Sequence, residues 1–394
     1  MYVFGKRSLK ILCSILRRGV LASTIVSTVN IAAQAPRSEG QAAQSVPPAS
    51  LVSTEVSGNH LTFRIYAPKA ETVRLNSDFT RSENNSSRDL TKDGTGVWSV
   101  TVGPVEPGTY RYCFVVDGVQ TVDPKSRTPI ERLDSVWSVV TVPGAEYQDP
   151  QPDVPHGALE TVWYKSTTLN RMRRLHIYTP PGYSGGQGRY PVLYLQHSGG
   201  DSDDGWTAEG RANIILDNLI AAGRAKPMIV VMTATHVNPV FVRTGLLADV
   251  DSFVQDFETD AMPFVERNYR VIADRQHRAI AGSSMGGHEA LDLELLHPEQ
   301  FSYVGIFSSG WFEHGDAPFL KDHEDALRHA ASNQPKLLWA GVGRQDTVAS
   351  TVTPRMLEVL KGYKIAVDFH ESEGAHNWIT WRDYLILFLP KLFS

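Results

Sequence analysis

Two different hydrophobic patterns follow one another along the chain. Between residues 51 and 145, apolar and polar positions alternate over short stretches separated by turn-forming pairs such as Asp93-Gly94 and Asp117-Gly118. A period of two is typical of β-strands, and Asp-Gly pairs favour tight turns between them. The alternating stretches are Leu61–Tyr66, Thr72–Leu75 and Val97–Val102, and residues Tyr110–Val116 have a strand-like composition. Since no helical pattern interrupts them, this segment is predicted to form a small all-β sandwich.

The pattern changes in residues 157–394, where continuous apolar runs alternate with stretches of helical periodicity. The predicted strands are Arg174–Tyr178, Val192–Gln196, Met228–Met232, Arg278–Ala281, Tyr303–Phe307, Lys336–Ala340 and Lys364–Phe369. The predicted helices are Ala208–Ala222, Val250–Asn268, Gly286–Leu296, Thr353–Gly362 and Thr380–Leu389. Regular alternation of apolar strands with helices indicates an α/β domain with a mostly parallel sheet, covered by helices on both faces.

The first 35 residues have the composition of a targeting segment. They carry five cations and no acid, then an apolar run over residues 19–33, and then Ala33-Gln34-Ala35. This order is typical of a secretory signal peptide. Residues 1–35 are therefore predicted to be removed, and the protein is expected to be secreted or periplasmic. Arg17-Arg18 leaves the twin-arginine route open. Residues 36–50 are rich in Ala, Gln, Pro and Ser and are predicted to be a linker.

Charge and cysteine content exclude some classes of function. Loss of the five signal-peptide cations would change the formal net charge from −5 to −10, which disfavours nucleic-acid binding. Polar residues inside the apolar run disfavour a membrane anchor, so no membrane association is expected after cleavage. Cys113 is the one cysteine beyond residue 35, so the mature chain has no intrachain disulfide. Its thiol is expected to be a small buried apolar group.

The pentapeptide Gly282-Ser283-Ser284-Met285-Gly286 fits the pattern Gly-x-Ser-x-Gly. It stands between a predicted strand and a predicted helix, which is the setting of a nucleophile elbow. Such a turn exposes a serine hydroxyl above the end of a sheet, and glycines are needed where the strand and the helix nearly touch. Ser284 is therefore the candidate nucleophile, and the amide of Met285 is a candidate oxyanion donor.

A serine nucleophile of this kind is followed along the chain by an acid and then by a histidine. The histidines beyond residue 320 are His323, His329, His370 and His376. His376 is favoured as the base because it lies in a predicted loop before the last helix, whereas His370 ends a strand and is the alternative. Asp346 is the candidate acid because it follows a predicted strand, at the edge where α/β sites form.

The segment His197-Ser198-Gly199-Gly200-Asp201 follows another predicted strand at that edge. Its glycines allow the backbone to approach a developing oxyanion, so the amide of Gly199 is predicted as the second donor. The acidic residues after it are Asp201, Asp203 and Asp204. Their spacing does not match a calcium loop. No metal and no cofactor are expected.

These motifs together resemble the esterase D-like branch of the α/β-hydrolases, which includes feruloyl, acetyl-xylan and enterochelin esterases and S-formylglutathione hydrolase. The resemblance is carried by residues 191–197, 206, 263–271, 279–287, 297–301 and 374–378. It implies that Ser284, Asp346 and His376 are the catalytic residues and that Gly199 and Met285 supply the oxyanion amides. Ser198 is a departure, because the family commonly has glycine there.

The N-terminal segment is similar to the early-set immunoglobulin-like module that precedes many secreted esterases of this branch, a module related to glycogen-binding domains. Residues 61–68, 117–118 and 122–124 carry this likeness. It implies either a sugar-binding role or a packing domain that shapes one wall of the active-site cleft. The packing role is favoured.

The resemblance implies a secreted serine esterase that removes feruloyl groups from plant cell-wall polysaccharide or oligosaccharide. Acetyl-xylan esterase and enterochelin esterase are the alternatives. Acyl transfer and a non-catalytic glycan-binding protein are further readings of the same fold. Substrate contacts are expected from His197, Gly200, Trp206 and Trp378.

Overall fold

The computed structural model describes residues 50–83, 86–237, 252–312, 320–321 and 323–394. The predicted signal peptide, residues 36–49 of the predicted linker and the start of the helix predicted from Val250 lie outside these ranges. Within them, no helix is long and apolar enough to cross a membrane.

The N-terminal part is a β-sandwich, as the alternating pattern predicts. Its strands are β1 (Thr54–Ser57), β2 (His60–Tyr66), β3 (Val73–Ser77), β4 (Ser86–Asp89), β5 (Thr91–Lys92), β6 (Val97–Val102), β7 (Gly108–Val116), β8 (Val119–Thr121), β9 (Pro129–Glu131) and β10 (Val136–Val142). One sheet has the order β1-β2-β6-β5 and the other the order β4-β3-β7-β10-β9, with β8 paired to β7. All of these pairings are antiparallel.

Alternation along β2 builds the interior of the sandwich. Leu61, Phe63 and Ile65 are buried, while the residues between them are partly exposed. The ring of Phe63 stacks on that of Phe79, with centroids 5.3 Å apart. Cys113 is fully buried, as expected, and burial raises the pKa of its thiol to about 12. Such a thiol is not a nucleophile at neutral pH.

An eight-stranded sheet forms the C-terminal part. Its strands are β11 (Ala158–Ser166), β12 (Arg171–Thr179), β13 (Val192–Gln196), β14 (Ile229–Thr233), β15 (Arg278–Ser283), β16 (Tyr303–Phe307), β17 (Leu337–Gly343) and β18 (Asp368–Ser372). The order is β11-β12-β14-β13-β15-β16-β17-β18. The pairings of β12 with β11 and β14 are antiparallel, and the others are parallel. This confirms the predicted α/β-hydrolase sheet.

Both faces of this sheet are covered. In β13, Val192 and Tyr194 belong to one buried cluster, and Leu193 and Leu195 belong to a second cluster on the other face. A strand buried on both sides has no polar alternation, which explains its continuous apolar sequence.

Helices follow the strands much as predicted. They are α1 (Gly205–Ala208), α2 (Ala212–Ala221), α3 (Met262–Asn268, after a π-helical turn Phe257–Ala261), α4 (Met285–Leu296), α5 (Glu324–Ser332), α6 (Val352–Gly362) and α7 (Trp378–Phe388). One difference concerns the helix predicted from Ala208 to Ala222. The chain turns between α1 and α2, where Arg211 has a left-handed φ of 56°.

Two edge strands differ from the prediction. Strand β11 was not predicted, because most of its side chains are exposed and it has little apolar pattern. The last strand was predicted over Lys364–Phe369 but runs from Asp368 to Ser372. The apolar residues that suggested the earlier start pack against the core from the preceding loop, with Ile365 buried and Val367 partly buried.

Candidate active site

The candidate nucleophile lies at the sharp turn between β15 and α4. Ser284 has φ 54° and ψ −118°, a conformation that costs free energy for any residue other than glycine. Its amide donates to the carbonyl oxygen of Phe307 at 2.8 Å. Its own carbonyl accepts from the hydroxyl of Ser309 at 2.5 Å. These bonds from the neighbouring strand and its following loop hold the strained backbone in place.

The glycines of the motif are required by close packing. A Cβ on Gly282 would lie 2.4 Å from the backbone of Gly286, and one on Gly286 would lie 2.6 Å from the carbonyl oxygen of His197. A Cβ on Gly287 would lie 2.6 Å from the Cβ of Ser309. Real Cβ atoms do not approach other heavy atoms so closely, so strand β15, helix α4 and the loop after β13 can meet only if these residues are glycine.

Three of the predicted site residues form one hydrogen-bonded chain. Nε2 of His376 lies 2.7 Å from Oγ of Ser284. Nδ1 of the same ring lies 3.1 Å and 3.0 Å from the two carboxylate oxygens of Asp346. The serine is at the end of β15, and the acid and the histidine lie in the loops after β17 and β18. His370, the alternative base, lies on β18 and stacks on Trp339 instead.

Asp346 is held as a buried anion. Its carboxylate has no solvent exposure, and Oδ1 accepts from the amides of Val348 at 3.0 Å and Ala349 at 2.7 Å. Burial alone would raise the pKa of this carboxyl, but its hydrogen bonds with His376 and with the amide of Ala349 keep the pKa below its ordinary value. An ionised carboxylate at this place fixes the imidazole so that Nδ1 carries the proton and Nε2 faces the serine.

The two predicted oxyanion amides belong to adjoining loops. Met285 is the first residue of α4, so its N–H has no acceptor within the helix. Gly199 lies in a turn that is closed by the amide of Asp201, which donates to the carbonyl oxygen of Ser198 at 3.1 Å. The strands that lead to these loops are neighbours, with Gln196 of β13 opposite Gly282 of β15. An amide from each loop therefore lies at the end of the sheet that carries Ser284.

Comparison with known protein families gives two matches. The family model described as "Putative esterase" matches residues 166–392, which include the whole hydrogen-bonded chain. The chain belongs to this esterase family. A second model, described as carbohydrate-binding module 48 (isoamylase N-terminal domain), matches residues 51–129 of the sandwich.

Curated relatives of this esterase-family chain include larger proteins. It is 30% identical over 347 residues to an endo-1,4-beta-xylanase/feruloyl esterase of Xylanibacter ruminicola, a match that covers 86% of this chain and 45% of the relative. It is 27% identical over 273 residues to endo-1,4-beta-xylanase Y of Acetivibrio thermocellus, covering 63% of this chain and 24% of that protein. The chain thus spans less than half the length of each of these two relatives.

Solved structures show the same fold at lower identity. A CE1 ferulic acid esterase of Anaeromyces mucronatus, in complex with ferulic acid, superposes with a TM-score of 0.56 at 22% identity, covering 64% of this chain and 96% of that chain. An enterobactin esterase of Shigella flexneri superposes with a TM-score of 0.62 at 17% identity, covering 85% of this chain and 93% of that chain. The second likeness therefore extends over both the sandwich and the α/β domain.

The three side chains expected to contact substrate are buried and are not exposed at the surface of the site. His197 is buried, and its Nε2 accepts from the amide of Thr235 at 3.1 Å. Its Nδ1 therefore carries the proton, which it donates to the carbonyl oxygen of Ser198 at 2.8 Å. Burial lowers the pKa of this ring and keeps it neutral. The position of His197 indicates that it shapes the turn around Gly199.

Trp206 and Trp378 are also fully buried. Their rings meet edge to face with centroids 4.9 Å apart, and the indole N–H of Trp206 donates to the carbonyl oxygen of Gln196 at 2.8 Å. Both rings belong to one of the two buried hydrophobic clusters of the α/β domain. Among the four expected contacts, Gly200 is the one with partial exposure.

Two of the acidic residues after Gly200, Asp201 and Asp203, accept hydrogen bonds from basic side chains. Asp201 accepts from Arg111 and Arg132, and Asp203 accepts from Arg174 and His176. Within the ranges that the structure describes, no group of three or more His, Cys, Asp or Glu side chains could hold a metal ion.

Several contacts around the site have no signature in the sequence. The ring of Trp381 packs edge-on against that of His376, with centroids 5.2 Å apart. The amide of Ala375 donates to the carbonyl oxygen of Arg81 at 2.7 Å. The side-chain amide of Asn377 donates to the carbonyl oxygens of Thr80 at 3.1 Å and Glu83 at 3.0 Å. The residues that bind Ala375 and Asn377 lie hundreds of residues earlier in the chain, so local pattern could not have paired them.

Proposed function

We propose that this chain is a serine carboxylic ester hydrolase that forms an acyl-enzyme on Ser284. The observation that carries the proposal is the hydrogen-bonded chain from Ser284 through His376 to Asp346, built on a strained elbow at the carboxyl edge of the sheet. This arrangement activates a hydroxyl that is otherwise a weak nucleophile.

In the first half-reaction, Oγ of Ser284 attacks the ester carbonyl carbon and its proton passes to Nε2 of His376. The carbonyl oxygen becomes an oxyanion that the amides of Gly199 and Met285 stabilise. His376 then gives the proton to the leaving alkoxide as the carbon–oxygen bond breaks. The buried anion Asp346 stabilises the imidazolium that exists between these two transfers.

In the second half-reaction, a water molecule takes the place of the alcohol. His376 removes a proton from the water as its oxygen attacks the acyl carbon. The tetrahedral intermediate uses the same two amides, and its collapse releases the carboxylic acid and returns the proton to Oγ of Ser284. The atoms balance as hydrolysis of one ester by one water.

For the substrate, we propose feruloyl esters of plant cell-wall polysaccharide, with the protein acting after export. This choice is supported by the relative from Xylanibacter ruminicola, whose name includes feruloyl esterase and whose match covers 86% of this chain. The match of the sandwich to a carbohydrate-binding module supports a polysaccharide carrier. The predicted signal peptide supports a secreted or periplasmic site of action.

The proposal is tested by a substrate panel on the protein that lacks residues 1–35. The panel contains methyl ferulate, feruloylated arabinoxylan, acetylated xylan, 4-nitrophenyl acetate and enterobactin, with acid release measured by chromatography. We expect the highest kcat/KM on the feruloyl esters. In the Ser284→Ala variant we expect kcat to fall by a factor on the order of 10⁶.

The outcomes separate the parts of the proposal. Turnover that survives in Ser284→Ala would exclude the acyl-enzyme mechanism. Activity confined to acetylated xylan, or to enterobactin, would replace the feruloyl assignment and leave the mechanism intact. Sedimentation of the inactive Ser284→Ala protein with insoluble arabinoxylan measures carrier binding separately from catalysis.

A further inference from the structure

Asp201 links the two ends of the turn that contains Gly199. Its backbone amide donates to the carbonyl oxygen of Ser198 at 3.1 Å, and its Oδ2 accepts from the hydroxyl of Ser198. The serine that departs from the family pattern thus has a structural partner. Because the carboxylate is only 3% exposed, the conformation of this turn depends on what neutralises Asp201.

The neutralising charges come from the N-terminal sandwich. Oδ1 of Asp201 accepts from Nη1 of Arg111 at 3.1 Å and from Nη1 of Arg132 at 2.8 Å. Arg111 lies on β7, and Arg132 immediately follows β9. Both guanidinium groups lie over the ring of Trp137, at 5.6 Å and 5.7 Å from its centroid. The ring of Trp137 therefore helps to hold both guanidinium groups next to the carboxylate of Asp201.

Backbone contacts join the same two segments. Arg132 and Asp201 form an antiparallel β-bridge, and the amide of Leu133 donates to the carbonyl oxygen of Gly200 at 3.2 Å. A Cβ on Gly200 would lie 2.5 Å from a guanidinium nitrogen of Arg132. The sandwich thus touches the turn from Ser198 to Asp201 through main chain and side chain alike.

We propose that the sandwich is a positioning element of the active site, in which Arg111 and Arg132 hold Asp201 and thereby orient the amide of Gly199 toward the oxyanion. This inference rests on the proposed ester hydrolysis by Ser284. Arg111 and Arg132 touch neither the substrate nor the reacting atoms; they act through Asp201 and Ser198.

The second loop of the site is attached to the same domain. Ala375 and Asn377, on either side of His376, donate to carbonyl oxygens of residues 80–83 of the sandwich. Both loops that flank Ser284 are therefore fixed to residues outside the α/β domain. The positions of His376 and of the Gly199 amide therefore both depend on the contact between the sandwich and the α/β domain.

The experiment compares Arg132→Gln with Arg74→Gln. The side chain of Arg132 is 17% exposed, so the variant can admit water in place of the lost charge. Arg74 carries the same change and forms an ion pair with Asp89, at 3.1 Å, inside the sandwich, so it contributes to neither loop of the site. The substrate is 4-nitrophenyl acetate, and phenylboronic acid serves as a probe that forms a tetrahedral adduct on the serine.

For Arg132→Gln we expect kcat to fall by about 10- to 100-fold, with KM changed less than about threefold, because the oxyanion exists in the transition state and not in the bound ester. Boronate affinity should fall in parallel with kcat. Arg132→Lys should recover part of the loss, and Arg74→Gln should leave kcat unchanged.

A second variant tests the same linkage in case Arg132→Gln fails to fold. Ser198→Ala removes the hydroxyl that ties the turn to Asp201 without changing any charge. It should also lower kcat, and its effect should not add to that of Arg132→Gln, because both break one linkage. If Arg132→Gln leaves kcat and boronate affinity unchanged, as Arg74→Gln should, or if the effects of Arg132→Gln and Ser198→Ala are additive, the sandwich serves docking alone and the inference is wrong.

These results are separable from the proposed function. A protein that hydrolyses no ester, or that keeps its activity in Ser284→Ala, would overturn the mechanism itself. A protein that needs Ser284 but is indifferent to Arg132→Gln would overturn the positioning role alone.

Discussion

At the scale of single residues, the site combines a strained serine with a buried anion. Ser284 is held at φ 54° by bonds to Phe307 and Ser309, which places its hydroxyl beside His376. Asp346 is buried without loss of its charge, because its partners supply hydrogen bonds that water would otherwise give. Each of these residues would destabilise the fold if its partners were absent.

Glu294 is a buried carboxyl of a different kind. It lies on α4 with 2% exposure, and neither carboxylate oxygen has a hydrogen-bond partner among the described residues. Burial raises its pKa well above the ordinary value, although the charge of Arg275 opposes part of this shift. The folded protein therefore binds a proton there that the unfolded chain loses above a pKa of about 4.3. Folding stability that depends on this proton is lost as the pH rises from that value toward the folded-state pKa.

Glu294→Gln is expected to remove this pH dependence, because the amide is neutral in both states. The free energy of unfolding is measured with urea. The value for the variant minus the value for the wild type should increase as the pH is raised from 4.5 to 8. Glu358→Gln, at an exposed site on α6, is the matched control and should show no such trend. If Glu294→Gln and the wild type differ in unfolding free energy by the same amount at pH 4.5 and at pH 8, the carboxyl is already solvated in the folded protein.

At the scale of elements, the site depends on how closely α4 approaches two strands. The helix begins directly after Ser284, and its first turn lies against the loop after β13. That approach brings the amide of Met285 and the turn at Gly199 to the same end of the sheet. A side chain between these elements would separate the two parts of the proposed oxyanion site.

Gly286→Ala is expected to disrupt this packing. The new Cβ would lie 2.6 Å from the carbonyl oxygen of His197, a main-chain atom that can move only with its strand. We expect a loss of about 1–3 kcal/mol in the free energy of unfolding, together with a lower kcat. Gly362→Ala, at the end of α6 with no heavy atom within 4 Å of its new Cβ, should be neutral or slightly stabilising. Equal stability and equal activity of the two variants would refute this account of the elbow.

At the scale of the whole molecule, the sandwich and the α/β domain share a buried surface. Arg111 of the sandwich pairs with Asp201 and Glu209 of the α/β domain as well as with Asp78 of its own domain. Ile379 of α7 belongs to the hydrophobic core of the sandwich. Since each domain completes the core or the charge balance of the other, the two should unfold together.

Calorimetry of the protein that lacks residues 1–35 is expected to show one thermal transition. Ile379→Ala should lower its midpoint by several degrees, because deleting a buried isoleucine costs about 2–5 kcal/mol. Leu387→Ala on the same helix, where the side chain is 39% exposed, should leave the midpoint nearly unchanged. Two well-separated transitions in the wild type would show that the domains are independent.

By itself, the amino-acid sequence determined the two classes of fold and the residues of the candidate site. The period of two in β2, the apolar run of β13 and the glycines around Ser284 are local patterns with local physical causes, and the structure contains each of them. Asp346 and His376 followed from their places after strands, since parallel strands end at one edge. Edge strands β11 and β18 were missed or displaced because exposed strands need no apolar pattern.

Tertiary structure alone decided what holds the site in place. The pairing of Arg111 and Arg132 with Asp201, and of Ala375 and Asn377 with residues 80–83, joins segments whose sequence separation leaves no periodic signal. The burial of His197, Trp206 and Trp378 was likewise a matter of packing, because composition does not say which aromatic rings face solvent. Residue type and spacing thus identify the groups that are proposed to react, whereas the contacts that orient them exist only once distant segments have packed together.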